Sequence, residues 1–166
     1  MKRWWWIGVL VSGLMLAGCS PADNTCQEKL TEAESVVHTD REFTASDVPG
    51  IGDYTDIHWQ VRAAGHACSR VPGPNDWHYQ GLVKLTSADA AALLAAYDWQ
   101  PIDPGAANVQ WDSPAQMWSG LKEFAPQTWG WQHSPKYTAA QQMGTRWGTL
   151  YLDPQAEVGF FVLYDH

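Results

Sequence analysis

The chain has 166 residues, is 45% hydrophobic, and carries 18 acidic against 10 basic residues, a formal net charge of −8. That balance argues against nucleic acid or an anionic lipid surface as partner, because both are held by clustered Lys and Arg. The length suits one domain with a core of its own.

In chain order, Lys2 and Arg3 precede an apolar run from Trp4 to Ala17, which closes on Leu16-Ala17-Gly18-Cys19. A basic head, a short apolar stretch and small residues before a cysteine read as a cleaved export signal. The run is shorter than the ~20 residues a spanning helix needs. The pattern resembles the lipobox of bacterial lipoproteins. The resemblance implies cleavage before Cys19, a diacylglyceryl thioether on its sulfur and acylation of the new amino terminus. It makes residues 1–18 a signal peptide, 19–24 the lipidated cysteine with a short linker, and 25–166 a single extracytoplasmic domain anchored to a membrane. Two or three acyl chains anchor stably, at ~0.8 kcal/mol per buried methylene. Ser20 after the lipidated position permits outer-membrane sorting without proving it.

With Cys19 lipidated, Cys26 and Cys68 remain of the three cysteines. An oxidising compartment favours their pairing, and closing that loop contributes about 4 kcal/mol in the chain-entropy model. Two buried thiols are the alternative. No CxxC spacing speaks for metal ligation.

Thr25-Cys26-Gln27-Glu28 matches a capping box, and Cys26, Leu30, Ala33 and Val37 recur at helical spacing, so a helix is predicted over 26–38. Residues 39–55 carry turn signals. Ile57, Trp59, Val61 and Ala63 alternate with polar residues, the pattern of a half-buried strand. A loop over 64–78 contains Cys68, and Tyr79–Leu85 reads as a second strand. Thr86-Ser87 can cap a helix that runs to about Trp99. Ser113-Pro114-Ala115-Gln116 is a helix start, with Met117, Leu121 and Phe124 as its stripe and Pro126 as its stop. Residues 126–144 read as loop. A hairpin closes the chain, 145–152 and 158–164, turning at Asp153–Glu157. Phe160–Leu163 is apolar on both faces, so the last strand is expected in the middle of the sheet. The order predicts an α+β fold: an antiparallel sheet of about four strands with about three helices packed on one face.

The segments Val71-Pro72-Gly73-Pro74, Tyr97-Asp98-Trp99 and Leu150-Tyr151-Leu152-Asp153 resemble small uncharacterised secreted lipoproteins of high-GC bacteria, a resemblance that implies no particular activity.

Candidate chemistry is sparse. Asp56, His58, His66, Asp76 and His78 gather near the first two strands and could ligate a metal or supply an acid and a base. No HExxH spacing or GxSxG elbow accompanies them. Eight tryptophans remain after the signal peptide. Trp59, Trp99 and Trp147 are expected in the core, whereas Trp129-Gly130-Trp131 lies in a loop where both indoles cannot easily be buried. Exposed indoles stack on sugars and cations and anchor protein interfaces. The reading is a lipid-anchored, non-enzymatic binding module at the cell envelope, with no cofactor. Its partner is an envelope protein. The alternatives are a glycan module using Trp129 and Trp131, and a metal-dependent hydrolase using Asp56, His58 and His78.

Overall fold

Four stretches of alternating or fully apolar residues build the sheet. In the computed structural model, which describes residues 22–65, 67–68, 76–105, 112–141 and 146–165, they form β1 (Asp56–Ala63), β2 (Trp77–Lys84), β5 (Arg146–Asp153) and β6 (Val158–Asp165). Two short strands, β3 (Gln100–Pro101) and β4 (Gln132–His133), extend the sheet beyond β5. The described residues thus form a six-stranded antiparallel sheet in the order β1-β2-β6-β5-β4-β3. The α+β class holds, with six strands rather than about four. β3 and β4 are too short to leave a periodic signal, and their pairing is set by β5.

Three helices accompany the sheet: α1 (Ala22–Ser35), α2 (Ser87–Ala96) and α3 (Pro135–Gln141). α1 starts inside the expected linker and ends earlier than expected, so Thr25 lies within it rather than capping it. α2 begins as expected: the Thr86 hydroxyl accepts from the Asp89 backbone N–H at 3.1 Å. α3 falls in the stretch read as loop, although Ser134-Pro135 is the same kind of start signal as Ser113-Pro114.

Both faces of the sheet are covered, not one. On one face Ile57, Trp59, Val83, Leu150, Leu152, Phe161 and Leu163 meet Phe43, Val48, Ile51 and Tyr54 of the loop before β1, Leu93 of α2 and Tyr137 of α3. On the other face Leu82, Tyr151, Phe160 and Val162 meet Met117, Leu121 and Trp131. Apolar side chains on both sides of β6 require two layers, since each strand alternates its faces.

The expected helix over 114–125 is instead two single 3₁₀ turns, Pro114–Gln116 and Lys122–Phe124. Two buried glutamines explain the break. Gln60 and Gln80 sit opposite each other in β1 and β2 and are 2% and 1% exposed. Gln80 Oε1 accepts the Trp118 backbone N–H at 2.9 Å, a bond that takes the place of a helical one. Gln60 Nε2 donates to the carbonyls of Glu34 and Ser35 at 3.3 and 3.1 Å, and its amide packs against Gly120. One sheet-borne amide thus ties down the irregular 114–125 segment, and the other the end of α1.

Candidate functional site

Register brings four side chains into one line across this second face. Arg62 of β1 lies opposite His78 of β2, His78 opposite Tyr164 of β6, and Tyr164 opposite Trp147 of β5. Their rings stack: Trp147 on Tyr164 at 4.3 Å and 16°, Tyr164 on His78 at 4.4 Å and 14°. Trp118 meets His78 edge-on at 5.0 Å and takes the Arg62 guanidinium over its face at 4.2 Å. Aromatic and cation–π pairs of this kind each contribute about 0.5–1.5 kcal/mol beyond their buried area.

Asp112 closes the row from above. Its carboxylate accepts the Tyr164 hydroxyl proton, and its Oδ1 lies 3.5 Å from His78 Nε2. Its backbone has φ of 76°, a left-handed conformation that Asp tolerates better than most residues, and its N–H donates to Gln116 Oε1 at 3.0 Å. Holding a non-glycine residue there costs about 1–3 kcal/mol, which the tyrosine and glutamine contacts offset.

The electrostatics follow from burial. Desolvation lowers the His78 pKa from 6.5; Asp112 opposes this and Arg62 adds to it. Burial raises the Tyr164 hydroxyl, and its bond to Asp112 raises it further. Burial and the Asp112 charge push Tyr151 up to about 12. Across the sheet, burial also lowers His133, whose Nε2 is 3.0 Å from Thr138 Oγ1. Buried polar atoms without a hydrogen-bond partner among the described residues include Arg62 Nε, His78 Nε2, Ser113 Oγ and Tyr151 OH. Most stand on this face of the sheet or in the segment that covers it.

The residues singled out in the sequence are dispersed. Asp56 and His58 do share a strand face, 3.7 Å apart, but His58 stacks on Phe124 at 3.7 Å. Arg62, not His58, is opposite His78, so His58 lies four residues back along β1, about 13 Å away. Asp76 accepts the Ala64 N–H through its backbone carbonyl at 2.8 Å. Cys19 and His66 lie outside the described residues. Among the described residues no group of three His, Cys, Asp or Glu is placed to hold a metal ion.

Cys26 and Cys68 are joined in a disulfide, with Cα atoms 5.9 Å apart. The indoles of the Trp-Gly-Trp loop part company. Trp131 is 3% exposed and packs edge-on against Phe160, so it offers no stacking face. Trp129 is 41% exposed and held by its Nε1 donating to the Ile102 carbonyl at 2.9 Å. Trp147, expected in the core, is 39% exposed. Its side chain lies on the second face near the end of that row, while its neighbours Gly148 and Leu150 turn to the first.

Sequence reasoning did not find Asp112, Arg62 or Tyr164. The alternation in the first strand places Arg62 on its polar face, but only strand register puts it beside His78. No protein family, curated protein or solved structure matches this chain.

Proposed function

We propose that this chain is an exported lipoprotein, anchored through acyl chains on Cys19, and that its folded part is a non-enzymatic module that docks an envelope protein on the Arg62–His78–Tyr164–Trp147 row. The row carries the reading. It gathers arginine, tyrosine and tryptophan, the residue types that dominate protein interfaces, with Trp147 exposed and Arg62, His78 and Tyr164 half-buried beside the buried centre of the sheet. Four strands at about 4.8 Å spacing make it about 14 Å long, the scale of an interface centre. The ring stacks and the Asp112 clamp pre-order it, which lowers the entropy lost on binding. The disulfide supports export, since such bonds persist outside the reducing cytoplasm.

Two measurements test this. Mass spectrometry of the native protein should find Cys19 as the amino-terminal residue with a diacylglyceryl group on its sulfur; a chain retaining residues 1–18 overturns the anchor. A photo-crosslinking residue at Trp147 in living cells should give one discrete protein adduct that the same residue at Lys136, on α3, does not. Turnover of a substrate by the purified protein, abolished by His78→Ala or Asp112→Ala, would replace docking with catalysis.

A glycan reading keeps one observation, the exposed and hydrogen-bonded Trp129. Retention of the protein on peptidoglycan or envelope polysaccharide, lost in Trp129→Ala, would favour it.

A further inference from the structure

The attachment of α1 is lopsided. No described α1 side chain belongs to either core. Gln27, Glu28, Lys29, Thr31, Glu32 and Ala33 are exposed, and Leu30 is only half buried. Of the expected apolar stripe only Val37, beyond the helix end, packs against a core; Cys26 and Ala33 are exposed. Among the described residues, named contacts hold the helix near its start and at its end. Near its start Cys26 is bonded to Cys68. At its end Gln60 Nε2 donates to the Glu34 and Ser35 carbonyls, and Glu34 Oε1 accepts the Ala63 N–H at 2.9 Å.

A helix of 14 residues is marginal in water when it lacks tertiary packing. Glu28 and Glu32 on its exposed side add no compensating ion pair among the described residues. The bond itself is accessible, with Cys26 exposed and Cys68 half exposed. An exposed disulfide is open to thiolate attack.

We infer that the Cys26–Cys68 bond is a redox latch on α1: closed, it holds the helix against β1; opened by a dithiol reductant, it lets the helix leave. The chemistry balances within the pair. One thiolate of the reductant attacks a sulfur of the bond and displaces the other as thiolate. Its second thiolate then resolves the mixed disulfide. Cys26 and Cys68 take up two electrons and two protons, and the reductant becomes a disulfide. The sheet keeps its two cores, because no described α1 side chain belongs to them.

The consequence for reach rests on the lipid anchor proposed above. With the latch closed, only Ser20 and Pro21 separate Cys19 from Ala22, about 10 Å at most. With it open, the chain from Cys19 to Val36 extends to about 60 Å. The domain then moves from the membrane surface to well beyond it. The latch itself does not depend on lipidation.

Hydrogen exchange on the full chain in mild detergent, with and without dithiothreitol, tests the latch, and the lipid state is read in the same mass spectra. Reduction should speed exchange of amides 27–34 at least about tenfold, toward the rate of unstructured chain, while β6 amides Phe160–Leu163 stay protected. The Cys26→Ser/Cys68→Ser double variant should show the same open helix without reductant. Unchanged exchange in α1 overturns the latch. So does joint loss of protection in α1 and β6, which would make the bond a staple of the whole fold. An unlipidated Cys19 would remove the reach argument and leave the latch standing.

Discussion

Gly81→Ala tests the packing of the first core most directly. Gly81 lies in β2 opposite Phe161 of β6. A methyl group added there would sit 2.2 Å from Phe161 Cζ and 2.5 Å from Cε1. Ordinary carbon contacts lie at about 3.5–4.0 Å, so the ring tip must retreat by about 1.5 Å. Phe161 is fully buried, and its ring rests on Phe43 at 4.9 Å; Phe43 in turn meets Trp59 at 5.2 Å and Tyr79 at 5.6 Å. The displacement is therefore shared by an aromatic cluster that is itself close-packed. Overpacking of this kind costs about 1–3 kcal/mol. Replacing a strand glycine returns about 0.5–1 kcal/mol through the unfolded chain. The net expectation is a loss of about 1–2 kcal/mol, or a Tm lower by about 3–8 °C for a domain of this size. Urea unfolding followed by tryptophan fluorescence measures it. Adding Phe161→Leu should make the two changes strongly non-additive, with the double variant more stable than the sum of the singles. An unchanged or raised Tm in Gly81→Ala, or simple additivity, would refute the contact.

Gln80→Leu should destabilise the fold by about 1–3 kcal/mol, because the Trp118 N–H loses its acceptor in a half-buried place; chemical denaturation reads it, and a neutral result would deny Gln80 its role in breaking the 114–125 helix. Tyr164→Phe removes the hydroxyl that donates to Asp112 beside His78, and should shift the imidazole titration of His78 followed by NMR while leaving β-sheet circular dichroism intact. Acid should weaken the fold. The pKa values of His78 and His133 are lowered from 6.5, so the unfolded chain takes up these protons first as pH falls below about 6.5, and stability drops with it. Urea midpoints at pH 7.5 and 5.5 should show the fall, and a His133→Gln variant should show less of it.

How far the chain could be read without coordinates divides along physical lines. The four long strands carry their signal in side-chain alternation, which is local, so Ile57-Trp59-Val61 and the Asp153–Glu157 turn were legible within a residue or so. Thr86 was legible as a cap for the same reason. The pairing of Cys26 with Cys68 followed from counting cysteines once Cys19 was set aside. The doubly apolar Phe160–Leu163 even contained the second layer, although the expectation of helices on one face passed over it.

What lay beyond reach depended on partners distant in sequence. The run 114–125 has a good helix start, yet Gln80, more than thirty residues away, takes its Trp118 amide. Trp129 and Trp131 are chemically alike and two residues apart; only their seating against Ile102 and Phe160 makes one open and the other closed. Strands β3 and β4 exist because β5 offers an edge. Composition and alternation set the chain's charge and principal strands, since both are read from the residues themselves and their immediate neighbours. Register and long-range hydrogen bonds alone decided that Arg62, His78, Tyr164 and Trp147 stand in one row beneath Asp112, because a one-residue slip of any strand would have turned its side chain to the opposite face.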